Sequence, residues 1–533
     1  MSQRGRPLLG AAALAIAALA TTPLLYLIVR ALERGPMVVR EVLERPRTLE
    51  LFWRSSILAL TVTVACIILG SLLAWIVVRT NLRGRRMLGV LFTLPLAIPS
   101  YVLGFLWVAE LPQLTGFIGA ATVLTIASYP YVFLPVAAAL AAADPAGEEV
   151  AQTLGRSRVR AVLSITTRQV WPAATAGGLL VALYTLSDFG AVALMRYDAF
   201  TVAIFMSYQG SFDRTPAAIL GLILAAAAIL LTIAERRARR GFAARIATGA
   251  PRVPRPFVLG PLVLPVYLLS GIVIAVGVLL PFAALGRWML RSQRVSVTWS
   301  EIWSATASTI QVAGLAALAT TLVAIPIGLL AARSRSLAAR TAESVSYIGF
   351  ALPGITVGLA VVFLGIRALP QFYQQIPMLI IAYMVLFLPL AVGAIRSAIE
   401  AIPESLEDVS ATLGEPRWRT SARVILPLAL PGTAAGAALV FLAVAKELPA
   451  TLMLRPTTVD TLATGLWSHT ADLAYGAAAP YAVALILVAA LPALLLGNVM
   501  GWRSTTPRLP LAGESDGPEE TTSPAATKES ARA

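Results

Sequence analysis

The chain has 533 residues, 58% of them hydrophobic and only 13% charged, about half the charged share of a soluble domain. The net charge of +15 does not mark a nucleic-acid binder, because the arginines fall between apolar runs on alternate sides, as cytoplasmic loops require. A single cysteine, Cys66, and a single histidine, His469, exclude an intrachain disulfide and any site built from several thiolate or imidazole ligands.

Runs of about 20 apolar residues cross a bilayer core, and long unbroken runs of this kind mark helices rather than the short alternating segments of a barrel. In chain order the predicted spans are 8–29, 55–78, 87–108, 117–140, 170–195 and 216–234, then 257–283, 306–332, 344–366, 377–398, 424–446 and 479–500. The first run follows Arg4 and Arg6 and is longer than a signal-peptide core of about 7–15 residues, so it reads as an uncleaved first span. With the N-terminus inside, the interior loops 79–86, 141–169, 235–256, 333–343 and 399–423 hold most of the arginines. The loop 30–54 is an exterior exception, with six arginines balanced by Glu33, Glu41, Glu44 and Glu50. The expected architecture is an all-α polytopic membrane protein of about twelve spans. It divides into a first repeat at 1–240, an Arg- and Pro-rich cytoplasmic linker at 241–256, a second repeat at 257–502 and a disordered cytoplasmic tail at 503–533.

The two halves are copies. Ala97-Ile98-Pro99-Ser100 with Gly104 answers Ala351-Leu352-Pro353-Gly354 with Gly358, Phe133-Leu134-Pro135 answers Phe387-Leu388-Pro389, and Arg79 answers Arg333, all 254 residues apart. Further on the spacing becomes 259. Glu149-Val150-Ala151-Gln152-Thr153-Leu154-Gly155 answers Asp408-Val409-Ser410-Ala411-Thr412-Leu413-Gly414, Arg158 and Arg160 answer Arg417 and Arg419, and Asp188 answers Glu447. Each half has an even number of spans, so the repeats point the same way, about an axis along the membrane normal, with a transport pathway expected between them.

Each duplicated polar segment lies in an interior loop. Asp144-Pro145 and Ile402-Pro403 precede the segments, where an Asp can cap and a Pro can open a helix. Gly155 and Gly414 stand where a left-handed residue would stop it. Each loop is therefore expected to hold a short helix of about ten residues, too short to be stable in water without support. The alternative is a pair of ordinary connectors, similar only through duplication.

An acid, small residues and a Gly six positions after the acid resemble the Glu-Ala-Ala loop of ABC importer permeases. The continuation Val424-Ile425-Leu426-Pro427 fits that family in the second copy, whereas Arg168 replaces the expected Pro in the first. Within the family, Ser187-Asp188-Phe189-Gly190-Ala191-Val192 with Arg196-Tyr197, and Lys446-Glu447-Leu448-Pro449-Ala450-Thr451 with Leu454-Arg455-Pro456, are similar to the double-length ferric iron type. Double-length thiamine permeases are the nearest competitor.

The resemblance implies a type I ABC importer permease in the bacterial plasma (inner) membrane, with both termini cytoplasmic. It implies ATPase-coupling loops carried by Glu149, Ala151, Gly155, Arg158 and Arg160, and by Asp408, Ser410, Gly414, Arg417 and Arg419. It also implies two ATPase subunits as partners, a periplasmic or lipid-anchored solute-binding protein, and contact with membrane lipid but not nucleic acid. ATP and Mg would be bound by the ATPase, with no cofactor in this chain.

Asp188 and Glu447 carry the charges nearest the expected pathway. They either flank its outer part, with hard carboxylate oxygens suited to a ferric ion, or sit at the outer interface paired with an Arg or with Lys446. Lys446 and Glu447 are adjacent, so on one helix only one of them would face inward. No residues are assigned to hold a metal. The two lysines, Lys446 and Lys528, are both followed by Glu, so no phosphate-binding Gly-Lys-Ser/Thr loop exists. The chain is expected to be a transport subunit rather than an enzyme. A secondary transporter of the major facilitator type would also have twelve spans, but it would carry an acid in the loop 79–86, which has none. A non-transporting scaffold is the third alternative.

Overall fold

The computed structural model describes residues 5–143, 146–210, 213–243, 256–292, 298–334, 336–347, 349 and 352–499. The 503–533 tail, Asp144-Pro145 and all of the linker except 241–243 and 256 lie outside the described residues. Helices make up nearly all of the described backbone, as hydrocarbon demands, because each span must satisfy its own amides and carbonyls.

Among the described residues nine helices are long and apolar enough to cross a membrane: Gly10–Leu32, Pro46–Arg79, Gly116–Ala142, Ser164–Ser187, Thr215–Glu235, Gly260–Ser292, Trp299–Arg333, Ile376–Glu400 and Trp418–Ala445. The other three expected spans take different forms. The one expected at 87–108 is a pair, Arg85–Ala97 and Ser100–Glu110, bent by 91°. The break falls at Ile98-Pro99. Ile98, ahead of the proline, is driven to extended backbone (φ −91°, ψ 124°), and Pro99 has no N–H to continue the ladder. The spans expected at 344–366 and 479–500 appear as the shorter helices Gly354–Ala368 and Tyr475–Ala490.

The first helix of each repeat crosses over to the other repeat. Gly5–Leu32 lies against Leu337–Ser346 and Gly354–Ala368 of the second half. Its C-terminal end is tied there by the Arg30 guanidinium over the Phe363 ring and by the Glu33–Arg367 ion pair at 2.5 Å. Arg30, then Arg367, holds the Glu33 carboxyl below its ordinary value. The Val263–Ser292 helical run lies in turn against Arg85–Thr93, Ser100–Glu110 and Gly116–Ser128 of the first half. A Cβ on Gly277 would stand 3.3 Å from Pro95, and Arg287 pairs with Glu110 at 2.7 Å. Just before that run, Phe257 donates its N–H to the Arg79 carbonyl at 2.6 Å and packs its ring, tilted, against Trp75 with centroids 5.4 Å apart. The two repeats are thus interlocked, each carrying the other's first span.

Candidate functional site

The two polar loops fold alike, residue for residue. Each contains an eight-residue helix, Ala146–Thr153 in the first copy and Ser405–Thr412 in the second. Gly155 and Gly414 end these helices in the left-handed region, with φ of 81° and 79°. Behind them Arg156 N–H reaches the Ala151 carbonyl and Gly155 N–H the Gln152 carbonyl, while Glu415 reaches Ser410 and Gly414 reaches Ala411. That is the two-bond closure of a glycine-stopped helix. Nothing lies within 4 Å of a Cβ on either glycine, so it is backbone conformation, not space, that calls for Gly there.

Each short helix is held to the membrane part by an ion pair. Arg79, at the end of Pro46–Arg79, pairs with Glu148, and Arg333, at the end of Trp299–Arg333, pairs with Glu407 at 2.6 Å. The first pair is buried and Glu148 also accepts from Thr166; the second is more open, and Arg333 also donates to the Ile402 carbonyl at 2.7 Å. Glu148 and Glu407, the residues that anchor the helices, each precede the acid expected from the sequence. Their signal was present in the numbering: Arg79 and Arg333 differ by 254, Glu148 and Glu407 by 259, the two spacings of the duplication.

Glu149 and Asp408 point to solvent. Ala151 and Ser410 are both buried, and so is the residue ten positions further on in each copy. In the first copy that position is Ala161; in the second it is Thr420, whose hydroxyl bonds Ser410 at 2.7 Å. Two alanines in one copy are thus matched by a hydrogen-bonded pair in the other. Arg158 and Arg417 open the next helical turns, their side chains outside the described residues, while Arg160 and Arg419 are exposed, Arg419 pairing with Glu415 at 3.3 Å. Both copies then pass into the membrane through one π-helical turn, at Val162–Thr166 and Ser421–Ile425. Arg168 therefore does not alter the exit of the first loop: the turn precedes it, and it forms without a proline.

The exposed face of each short helix carries two large apolar side chains one turn apart. Val150 and Leu154 are 58% and 78% exposed, and Val409 and Leu413 are 56% and 77% exposed.

A second site lies between the repeats, a cavity of about 390 Å³ lined by Ser100, Tyr101, Tyr184, Asp188, Lys446 and Glu447 among others. Both expected acids line it. Neither makes an ion pair among the described residues. Asp188 caps the short helix Gly190–Leu194, accepting from the Ala191 and Val192 amides at 2.9 and 3.3 Å and from the Ser100 hydroxyl. Glu447 does the same for Pro449–Leu454, accepting from the Ala450 and Thr451 amides at 2.9 and 3.0 Å and from the Thr451 hydroxyl at 2.8 Å. Lys446 and Glu447 both line the cavity. The expectation that only one would do so fails because the long helix ends at Ala445, so helical spacing does not govern the next two residues. Among the described residues no three His, Cys, Asp or Glu side chains gather as a metal site.

A duplicated helical membrane chain with its two halves closed on a central cavity is a transport pore, and the comparisons define which kind. The chain belongs to the family described as binding-protein-dependent transport system inner membrane component, which matches residues 66–243 and 324–500. Both matches begin beyond the span that crosses to the other repeat. The chain is 35% identical over 480 residues to the Fe(3+)-transport system permease protein FbpB 2 of Haemophilus influenzae, covering 89% of this chain and 94% of that protein. It is 26% identical over 260 residues to the sulfate transport system permease protein CysT of Escherichia coli, covering 45% of this chain and 93% of that one. It is 31% identical over 192 residues to the molybdenum transport system permease protein ModB of Escherichia coli, 32% of this chain and 80% of that one. The last two are shorter proteins that this chain exceeds by about a repeat. The chain is therefore a double-length permease subunit of an ABC importer, a multi-pass membrane protein and not an enzyme.

Proposed function

We propose that this permease forms both halves of an importer for iron supplied as Fe(3+), in a bacterial inner membrane with both termini in the cytoplasm. Residues 1–240 and 257–502 supply the two repeats, 241–256 the linker and 503–533 a cytoplasmic tail. The observation that carries the substrate is the 35% identity, over nearly the full length of both chains, to a permease named for Fe(3+) transport. A periplasmic or lipid-anchored binding protein delivers the cargo from outside. Two ATPase subunits dock beneath, one on each short helix. Support for the docking is the paired apolar face, Val150 with Leu154 and Val409 with Leu413, held out by helices too short to stand alone. Closure of the ATPases draws the two helices together. The Arg79–Glu148 and Arg333–Glu407 pairs pass that movement to the ends of two long spans.

The test is uptake of radioactive iron into vesicles holding the permease with its ATPase and binding protein. Uptake that needs hydrolysable ATP, and that ends when Gly155 or Gly414 is changed to Pro while hydrolysis continues, is the expected result. Iron uptake driven by a proton or sodium gradient without the ATPase would refute the reading.

A further inference from the structure

Resting on the import reading above, we propose that the cargo crosses as an oxyanion or in company with one, a phosphate or carboxylate group, and that Lys446 is the cavity residue that takes it.

The two carboxylates of the cavity are committed. Every oxygen of Asp188 and Glu447 accepts from a backbone amide or a hydroxyl that begins a short helix. A bare ferric ion would have to share oxygens already engaged at the starts of Gly190–Leu194 and Pro449–Leu454. With no cluster of metal-binding side chains among the described residues, the cavity does not provide the oxygen cage a bare trivalent ion requires.

Its free hydrogen-bonding capacity is that of a donor. Lys446 lines the cavity and makes no hydrogen bond or ion pair among the described residues. Tyr101 lines it too, and its buried hydroxyl has no partner. An ammonium inside a membrane protein that is bonded to neither carboxylate of its cavity calls for a function. The residue type is also unusual here. Of the 42 basic residues only Lys446 and Lys528 are lysine, and lysine presents a compact charge with three rotatable donors rather than the fixed fork of arginine. The repeat supplies this charge once. At the 259 spacing Lys446 answers Ser187, so the cavity is built for a single anionic group. The field of the two capped carboxylates then suits a cation travelling on that anion.

The oxyanion has two sources, a ferric complex and a free organic acid or phosphate, and double labelling separates them. Vesicles holding the permease, its ATPase and its binding protein are given iron-labelled ferric citrate whose citrate carries a second label, and separately labelled glycerol phosphate without iron. Joint entry of iron and citrate supports both this inference and the iron assignment. Entry of glycerol phosphate alone supports the inference and overturns the iron assignment. Iron entering without its anion upholds the iron assignment and overturns the inference, and entry of no label overturns both. Lys446→Met is expected to lower entry of the anion label at least tenfold, while Lys446→Arg recovers part of it. Co-purification of each variant with the ATPase shows that it has folded. A folded Lys446→Met variant that imports the anion as well as the parent does would overturn the role of Lys446.

Discussion

The Glu447 carboxylate fills the space beside Gly354, so that a Cβ on residue 354 would stand 2.5 Å from Glu447 Oε1. In the first repeat the same places hold Ser100 and Asp188, which hydrogen bond to each other. A short acid is matched with serine and a long acid with glycine, so the two repeats fill the same volume by different means. Gly354→Ser alone should push Glu447 off the amides of Ala450 and Thr451 and lower both the melting temperature and uptake. Adding Glu447→Asp should recover most of the loss. A double-mutant cycle should give a coupling of about 0.5–3 kcal/mol. Losses that simply add would refute the compensation.

The two anchoring ion pairs should respond unequally. Arg79–Glu148 is buried, and removing one partner of such a pair strands the other charge at a cost of about 3–5 kcal/mol. Arg333–Glu407 is more exposed, and an open pair contributes about 0–1 kcal/mol. Glu148→Gln should therefore sharply reduce the amount of folded permease, and Glu407→Gln should leave it near normal. Thermal unfolding in detergent measures both. Equal losses would show that the two anchors carry the same load.

The helical membrane class, the duplication, the sites of the short helices and their glycine stops were legible in the sequence, because apolar length and the left-handed requirement of Gly155 and Gly414 are local properties. The crossing of each first span to the other repeat was not, because helix order along the chain does not fix which neighbour a span chooses in the bilayer. The roles of Asp188 and Glu447 were hidden for a related reason. A carboxylate near a span end reads alike whether it faces a pathway, meets an arginine or caps a new helix. Only the break after Ser187 and after Ala445 decides for the cap. Glu148 and Glu407 could have been found, since each shares the register of an arginine already seen to repeat.

The paired replacement on the short helices gives a third expectation. Ser410→Ala would leave the buried Thr420 hydroxyl only its long 3.5 Å bond to the Pro416 carbonyl, a loss of up to about 1–3 kcal/mol for a poorly satisfied buried polar group. Ser410→Ala with Thr420→Ala rebuilds the Ala151–Ala161 arrangement and should return stability to near the parent value. Melting temperatures of the two variants measure this, and a double variant less stable than the single would sink it.

Leu154 and Leu413 separate docking from folding. Both are more than three-quarters exposed, so replacing either with Glu removes almost no burial within this chain, and substitutions at exposed positions usually change stability by about 0.5 kcal/mol or less. At a docked surface the same change buries a charge against apolar neighbours, which is costly unless the charge is paired. Leu154→Glu should therefore leave the melting temperature of the isolated permease unchanged while weakening capture of the ATPase, and Leu413→Glu should do the same. Because the proposed complex needs both sockets to close, each single variant should abolish ATP-driven uptake rather than halve it. Uptake reduced only by half in each would mean that one helix can drive the pore alone. Unchanged ATPase capture in both would place the docking surface elsewhere.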